Sequence, residues 1–362
     1  MPSLAPPQLT DVAVKVERRL TDLVAEQSGV WASFDGRLAE AVDELGSVLS
    51  SGGKRLRAAF CYWGWHGRRH GPGGGLGFGS PCDESVVVDA GAAFELLQAF
   101  ALIHDDIMDD SATRRGRPTV HVSQARRLTA EGWQGEARRF GEGVAILVGD
   151  LSHAYADQLM GSAPDAARRI WDELRIELNL GQYLDLRSAA AGQLDGDTAL
   201  RVSTFKSALY TIVRPLQLGA SLDGPAGEGL LALLERYGRP LGRAFQLRDD
   251  LLGVLGDEVT IGKPVGDDLR EGKPTELAAV AIDRADPAQA RLLAGIGRRD
   301  LSAGDVAAIV GVLQDTGAVG EINNRITGLV SEAIDVAADL PFDHESKGAL
   351  VALAEYVAAR NS

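Results

Sequence analysis

The sequence from Gln98 to His121, QAFALIHDDIMDDSATRRGRPTVH, begins as an apolar helix and ends in a group of aspartates. At about 100° per residue, one stripe of this helix carries Gln98, Ala101, Asp105 and Asp109, with Asp106 and Asp110 beside it. Like charges at this spacing repel, and the C-terminal end of a helix is unfavourable for anions, so the group costs stability unless cations neutralise it. A solvated acidic helix end is the alternative. Because residues 94–108 are too apolar for a surface helix, we expect an internal cleft that holds divalent cations, for which Mg²⁺ is the usual choice.

A second apolar helix is also predicted to end in carboxylates. In RPLGRAFQLRDDLLGVLGD, which covers residues 239–257, one helical stripe carries Gly242, Phe245, Gln246 and Asp249, with Asp250 beside it. Two such helices in one chain predict opposed walls of a cavity that contains metal ions.

The composition is acidic and low in aromatic residues. Among 362 residues, 37 Lys and Arg stand against 51 Asp and Glu, which gives a net charge of −14, and 6% are aromatic. This balance argues against nucleic acid and anionic membranes as partners, because both bind basic faces. Carboxylates concentrated at two helix ends would instead recruit cations that bind diphosphate. Cys61 and Cys82 cannot form a disulfide framework, which favours a cytoplasmic protein.

Apolar residues recur every three or four positions from Asp11 onward, whereas alternating patterns are scarce, so the chain is predicted to be all-α. We expect one domain over residues 1–362, with residues 1–10 flexible. The start lacks the features of a signal peptide, and no stretch approaches about 18 uninterrupted apolar residues, so stable membrane insertion is not expected. Gly71–Ser80, GPGGGLGFGS, favours a surface loop over a phosphate cradle, because no strand precedes it and no G-K-[ST] follows.

Basic residues occur in short groups that could bind two diphosphates, since Arg offers forked donors to phosphate oxygens and Lys a point charge. They are Lys54, Arg55, Arg57, Arg114, Arg115, Arg117, Lys206, Lys263 and Lys273.

These motifs, in this order from about Gly52 to Thr275, resemble the trans-isoprenyl diphosphate synthases, and most of all a bacterial geranylgeranyl diphosphate synthase. The resemblance implies a single large helical bundle around a central cavity, of the isoprenoid synthase type. It implies a Mg²⁺-dependent prenyltransferase of isoprenoid biosynthesis that condenses isopentenyl diphosphate with dimethylallyl, geranyl or farnesyl diphosphate. The implied product is a linear trans-prenyl diphosphate, in particular geranylgeranyl diphosphate, a terpene precursor. It also implies a homodimer.

The resemblance assigns roles to individual residues. Metal binding, with three Mg²⁺ per site, is implied for Asp105, Asp106, Asp109, Asp249 and Asp250. Binding of isopentenyl diphosphate is implied for Lys54, Arg57, Gln98 and Arg115, and binding of the allylic diphosphate for Arg114, Lys206 and Lys263. Ser207, Gln246 and Lys273, a lysine of the closing loop, join the substrate-binding set, and Gln182 and Asp185 line the cavity. The catalytic set is Asp105, Asp109, Arg114, Lys206 and Asp249.

The sequence departs from the family pattern at three positions. Gly253 stands where many members have the third Asp of the second motif, Ser207 where Thr is commoner, and Gln98 where His is commoner. Product length is implied to depend on Phe100 and Ala101 below the first motif. The helical wheel supports Ala101 directly below Asp105 but puts Phe100 off that stripe.

Several readings remain open at this point. A farnesyl or longer polyprenyl diphosphate synthase would share the motifs. A class I terpene cyclase would ordinarily carry an N-D-x-x-S-x-x-x-E-like second motif, which is missing from the sequence. A non-catalytic partner subunit would typically lack an aspartate motif or the basic set. No nucleophilic triad stands out, and His104, His121 and His153 are predicted to be packed or supporting residues.

Overall fold

The computed structural model describes residues 5–72, 82–191, 201, 204–256, 266–273 and 275–359, and for Ala189, Lys206, Ser207 and Asp267 it describes the backbone alone. This part of the chain is almost entirely helical, which confirms the all-α prediction. The first half contains α1 (Pro7–Ala32), α2 (Gly36–Ser50), α3 (Leu56–His70), α4 (Glu84–Met108), α5 (Val120–Ala130), α6 (Ala137–Leu159), a 3₁₀ turn (Met160–Ser162) and α7 (Asp165–Ala190). The second half contains a π-helix (Thr204–Val213), α8 (Arg214–Ala220), α9 (Glu228–Leu255), α10 (Asp267–Glu271), α11 (Glu276–Arg284), α12 (Pro287–Leu293), α13 (Ala303–Asp315), α14 (Ala318–Asp339) and α15 (His344–Ala359).

Helix α4 is the central helix of the first half. Among the described residues it alone is long and apolar enough to cross a membrane by length and composition, but 61% of its most apolar window is buried inside the protein. Helices α1, α3 and α6 pack against it. Its apolar character is therefore explained by its place in the core.

The core has two halves that meet along α3 and α8. One half buries residues of α1, α2, α4, α6 and α7, and the other buries residues of α9, α11, α13, α14 and α15. Each half thus contains one helix with an aspartate motif, at the C-terminal end of α4 in the first half and in the last two turns of α9 in the second.

Helices α3 and α8 approach so closely that both need glycine at the contact. A Cβ atom on Gly64 would lie 2.4 Å from the carbonyl oxygen of Leu216, and one on Gly219 would lie 1.9 Å from that of Cys61. No side chain fits at these distances, so the two glycines bring the halves of the core together.

Two predicted loop segments lie partly outside the described residues. In the N-terminal segment, α1 begins at Pro7, a favourable first helical residue, and Leu9 is buried in the core. Residues 7–10 therefore belong to the first turn of α1, and residues 1–4 lie outside the described part of the chain. Of the glycine-rich loop predicted at Gly71–Ser80, residues 73–80 also lie outside it. Helices α2, α3 and α5 and a small hairpin between α4 and α5 were not predicted.

Candidate active site

The first aspartate motif lies where α4 ends. The helix ends at Met108, Asp109 is its C-cap residue, and Asp110 has a left-handed backbone with φ of 55°. Asp106 is buried, and the side chain of Asp105 is 19% exposed. The carboxylates crowd a helix C-terminus, as the sequence predicted, and they need positive charge nearby.

A hairpin supplies that charge. Strands β1 (Thr113–Arg114) and β2 (Arg117–Pro118) pair antiparallel around a two-residue turn, in which Arg115 and Gly116 both have positive φ, as a type I′ turn requires. Arg114 Nε donates to Asp106 Oδ1 at 2.7 Å, and its Nη2 lies 3.7 Å from Asp105 Oδ2. Burial lowers the pKa of Arg114, but the bond to Asp106 and the nearby aspartates outweigh it, and the pKa is raised. Arg114 is therefore a firm counter-ion for the motif.

The second aspartate motif lies near the end of α9. Asp250 is 6% exposed and accepts a hydrogen bond of 2.8 Å from Gln246 Nε2. Lys273 Nζ lies 3.8 Å from Asp250 Oδ1 and 3.8 Å from Asp268 Oδ2. Burial raises the pKa of Asp250 to about 6, because Lys273 and Gln246 compensate only in part for lost hydration. Burial also disfavours the charged form of Lys273, but the surrounding aspartates outweigh this and raise its pKa.

Helix α7 connects the two motifs. Gln182 Nε2 donates to Asp105 Oδ1 at 2.9 Å, and Asp185, one turn later, attracts Lys273 electrostatically. Because Lys273 also pairs with Asp250, both aspartate motifs border the same end of α7. Gln182 and Asp185, which the resemblance assigns to the cavity lining, thus each interact with a residue of the predicted site, and their role stays a prediction.

The donor set suits a cation that completes its coordination with substrate. In the described part of the chain, no three acidic, His or Cys side chains stand close enough together to enclose a metal ion. Each motif instead brings a carboxylate pair to a basic side chain, Arg114 in one case and Lys273 in the other. Mg²⁺ is usually bound by one or two carboxylates plus substrate phosphates rather than by a protein cage, so the residues present fit it.

Besides Arg114 and Lys273, basic side chains also lie at the start of α3. Arg57 Nη2 donates to Thr211 Oγ1 at 3.1 Å, and its guanidinium lies 4.2 Å from the centre of the Tyr210 ring. The Tyr210 hydroxyl donates to Gln98 Oε1 at 2.9 Å. Tyr210 of the π-helix thus joins two of the predicted diphosphate ligands, and no local pattern in the sequence singled it out.

Arg55 and Glu95 form a buried ion pair beneath this cluster. Arg55 is 7% exposed, has φ of 54° and donates from Nη1 to Glu95 Oε2 at 2.8 Å and from Nη2 to the carbonyl of Leu49 at 2.8 Å. Glu95 Oε1 has no hydrogen-bond partner within the described residues. Arg115 donates to Ser51 Oγ at 3.3 Å, so the hairpin also contacts the loop between α2 and α3.

The four arginines near the start of α3 and in the hairpin, Arg55, Arg57, Arg114 and Arg115, repel one another. Burial lowers the pKa of Arg115, and repulsion from Arg55, Arg114 and Arg57 lowers it further, while Glu95 opposes the change. Positive charge concentrated in this way favours binding of an anion.

Comparison with known proteins shows the family to which the chain belongs. A family model described as polyprenyl synthetase matches residues 39–313. The chain belongs to the polyprenyl synthetase family. A geranylfarnesyl diphosphate synthase from Aeropyrum pernix is 31% identical over 295 residues, which cover 76% of this chain and 84% of that protein. A geranylgeranyl diphosphate synthase from Mycobacterium tuberculosis is 36% identical over 254 residues, 68% of this chain and 64% of that protein.

A solved structure confirms the fold class. A geranylgeranyl pyrophosphate synthase from Corynebacterium glutamicum, complexed with isoprenyl diphosphate and magnesium, superposes with a TM-score of 0.88 and 37% identity, over 97% of this chain and 99% of that one. The fold is thus the isoprenoid synthase bundle, and the protein is a prenyltransferase of the trans-prenyl diphosphate synthase kind. The resemblance inferred from the motifs is confirmed.

Within this prenyltransferase, the predicted chain-length residues occupy different surroundings. The ring of Phe100 lies against His104, at 4.6 Å between ring centres, and is stacked on His153 of α6 at 4.9 Å. Ala101 is half-buried.

His121 is buried, with Nδ1 3.2 Å from Thr119 Oγ1. These packing contacts agree with the interpretation of the three histidines as packed or supporting residues.

For Lys206, Ser207 and Lys263, all predicted to bind substrate, the structure describes no side chain. The backbone of Lys206 and Ser207 lies in the π-helix, an uncommon element that is often found at functional sites. Lys263 lies outside the described residues. Their roles stay predictions.

Proposed function

We propose that this prenyltransferase condenses isopentenyl diphosphate with an allylic diphosphate to form a linear trans-prenyl diphosphate, in particular geranylgeranyl diphosphate. The observation that carries the proposal is the position of two aspartate motifs at one end of α7, next to a cluster of arginines of which Arg55 is buried. The acidic groups suit magnesium bound to one diphosphate, and the arginines suit a second diphosphate without metal.

The residues divide the work between the two substrates. Arg57, braced by Tyr210 and Thr211, would bind the diphosphate of isopentenyl diphosphate together with Lys54, Gln98 and Arg115. The allylic diphosphate would bind to Arg114, Lys206, Lys263 and Lys273. The aspartates would hold Mg²⁺, for which we propose three ions per site, and the bound metal would supply Lewis-acid stabilisation of the leaving diphosphate.

The chemistry requires positioning and charge more than a nucleophilic side chain. The allylic C–O bond breaks and its electron pair leaves with the diphosphate, whose new negative charge Arg114 and the lysines stabilise. The double bond of isopentenyl diphosphate then forms the new C–C bond at the allylic cation. A proton leaves the adjacent carbon, and the released diphosphate accepts it.

Loss of either aspartate motif should abolish this reaction. We expect Asp105→Ala and Asp249→Ala each to remove Mg²⁺-dependent turnover while the circular dichroism spectrum remains that of the wild type. Asp300→Ala serves as the control, since that side chain is 74% exposed on the surface. Wild-type turnover in either motif variant would contradict the assignment.

Phe100 is proposed as a floor residue of the product pocket. Its ring makes an edge contact with His104 and stacks on His153, and these two contacts support its position. We expect Phe100→Ala to lengthen the product by at least one five-carbon unit, measured by mass spectrometry of the dephosphorylated products. Unchanged chain lengths would argue against this role.

One assay separates the alternative functions. Purified protein with Mg²⁺, isopentenyl diphosphate and each of the three allylic primers should yield a linear diphosphate. A farnesyl or longer polyprenyl diphosphate synthase would differ in product length alone, a class I cyclase would release a hydrocarbon, and a non-catalytic subunit would yield nothing. The cluster of Arg55, Arg57, Arg114 and Arg115 favours elongation, because it suits a second diphosphate.

We also propose a cytoplasmic homodimer. Three large side chains one turn apart on α7 are strongly exposed: Ile176 at 62%, Leu180 at 59% and Tyr183 at 65%. Leu147 of α6 is 67% exposed. An apolar stripe of this kind on an enzyme suits burial against a second copy of the chain. Light scattering during size-exclusion chromatography measures the state, and a monomer mass would refute the dimer.

A further inference from the structure

The loop between α2 and α3, residues 51–55, has an unusual backbone where it enters α3. Arg55, the N-cap residue of α3, has φ of 54° although it carries a side chain. A left-handed conformation costs free energy in a residue other than glycine, so contacts elsewhere must hold it. Lys54 and Arg57, both predicted to bind diphosphate, stand on either side of Arg55 in the sequence. The conformation of Arg55 therefore fixes where these two side chains begin.

The side chain of Arg55 supplies the contacts. Its Nη1 donates to Glu95 Oε2 of α4 at 2.8 Å, its Nη2 donates to the Leu49 carbonyl of α2 at 2.8 Å, and its Nε lies 3.5 Å from Glu17 Oε1 of α1. The side chain is 7% exposed. With its donors directed at three neighbouring helices and its surface buried, Arg55 anchors the loop and is not available to a diphosphate.

Arg115 of the hairpin lies against the same loop. It donates to Ser51 Oγ at 3.3 Å. A Cβ atom on Gly53 would lie 3.0 Å from Arg55 Nη1 and 3.7 Å from Arg115 Nη2, so both guanidinium groups approach this glycine. Arg55 repels Arg115, and the charge of Glu95 opposes that repulsion. The ion pair of Arg55 and Glu95 thus sets both the place and the electrostatic surroundings of Arg115.

Stability alone does not require an ion pair at this position. Glu95 is 5% exposed, and its Oε1 has no hydrogen-bond partner among the residues that the structure describes. A buried ion pair with an unsatisfied atom recovers little of the free energy lost on leaving water, and an apolar pair of similar volume is often at least as stable. What an apolar pair does not supply is direction, which here comes from two hydrogen bonds that hold Arg55 between α2 and α4.

We propose that Arg55 and Glu95 are positioning residues for isopentenyl diphosphate. By holding the α2–α3 loop, their ion pair keeps Lys54, Arg57 and Arg115 at one diphosphate, and neither residue of the pair binds it. This role rests on the proposed condensation reaction. It concerns isopentenyl diphosphate alone, because Arg114, assigned to the allylic diphosphate, is held by Asp106 rather than by this loop.

Two variants separate positioning from stability. Glu95→Gln keeps an oxygen that can accept the bond from Arg55 but removes the charge, so it should destabilise the fold and leave the loop in place. The double variant Arg55→Met with Glu95→Leu removes one charge of each sign and fills the space with apolar groups, so stability and net charge should be retained while the anchor is lost. Glu177→Gln is the matched control, since Glu177 and Arg214 form a half-buried pair between α7 and α8.

Initial rates are measured with isopentenyl diphosphate varied at saturating geranyl diphosphate, and then with the two reversed, while urea unfolding gives the stability of each variant. In the double variant we expect the KM for isopentenyl diphosphate to rise about tenfold or more, because a misplacement of about 1 Å can cost a factor of about 100. The KM for geranyl diphosphate should stay that of the wild type. Glu95→Gln and Glu177→Gln should leave both KM values unchanged, although Glu95→Gln is less stable than the double variant.

A merely structural role predicts the opposite order. The KM for isopentenyl diphosphate would then follow stability, and Glu95→Gln would be the impaired variant. That result would overturn the proposal, as would a wild-type KM for isopentenyl diphosphate in the folded double variant or an equal rise in both KM values.

Arg55→Lys provides the test if the double variant does not fold. One ammonium group keeps the charge but cannot reproduce the forked pair of hydrogen bonds, so the KM for isopentenyl diphosphate should rise again, and a wild-type value would contradict the proposal. Failure of the proposed function itself has a different signature. In that case the wild-type protein would form no product from isopentenyl diphosphate with any allylic primer.

Discussion

Replacement of Asp250 by asparagine should stabilise the protein when no metal is present. Asp250 is 6% exposed, and burial raises its pKa from 3.8 to about 6. Because a pKa change of one corresponds to about 1.4 kcal/mol, ionisation of Asp250 at neutral pH costs the folded state about 3 kcal/mol relative to the unfolded chain. Asparagine has the same shape and can still accept the hydrogen bond from Gln246, so we expect a gain of about 1–3 kcal/mol.

The pH dependence has a definite sign. The folded-state pKa lies above the unfolded value, so the folded protein binds the proton more tightly. The cost is absent below about pH 4, grows as the pH rises, and is complete above about pH 6. The stability difference between Asp250→Asn and the wild type should therefore shrink as the pH falls from about 7.5 to 4.

Urea unfolding followed by circular dichroism, with EDTA present, measures this difference. Asp249→Asn is the control, since it removes a neighbouring carboxylate from the same motif at a less buried position. Addition of Mg²⁺ and inorganic diphosphate should reverse the order, because the wild type alone keeps its full metal site. The reasoning is refuted if Asp250→Asn is no more stable than the wild type at pH 7.5, or if the difference is independent of pH.

Two further predictions concern positions outside the aspartate motifs. Glu95→Gln should lower the free energy of unfolding by about 3 kcal/mol, because it leaves the Arg55 guanidinium buried without its partner, and wild-type stability in urea would contradict this. Gly242→Ala should cost about 2 kcal/mol, because the new Cβ would lie 2.3 Å from the Cα of Ala208 in the π-helix. Gly229→Ala, in open space on the same helix, should cost nothing, and equal melting temperatures for the two alanine variants would refute the argument.

Local patterns predicted much of the candidate site. The aspartates at the ends of α4 and α9 were found because helical periodicity relates residues three and four apart, and both helices end close to their acidic groups. The order of the motifs then identified the family. Periodicity needs several turns, however, so strands of two residues left no signal, and the hairpin that brings Arg114 to Asp106 was missed.

Pairs distant in the sequence could not be predicted in this way. Arg55 and Glu95 are 40 positions apart, and nothing in either segment indicates that they meet in the core. Gly253 could be read only as a missing aspartate, since the Asp268 carboxylate that fills its space comes from α10.

The sequence by itself determined the all-α class, the family and the two acidic helix ends, because each depends on spacing within a few turns of helix. Only the tertiary structure decided which charge partners which: Arg114 with Asp106, Lys273 between Asp250 and Asp268, and Arg55 with Glu95. The physical reason is that ion pairs, hydrogen bonds and steric contacts form only between groups a few ångströms apart. They therefore depend on how the chain brings distant segments together, which no local pattern records.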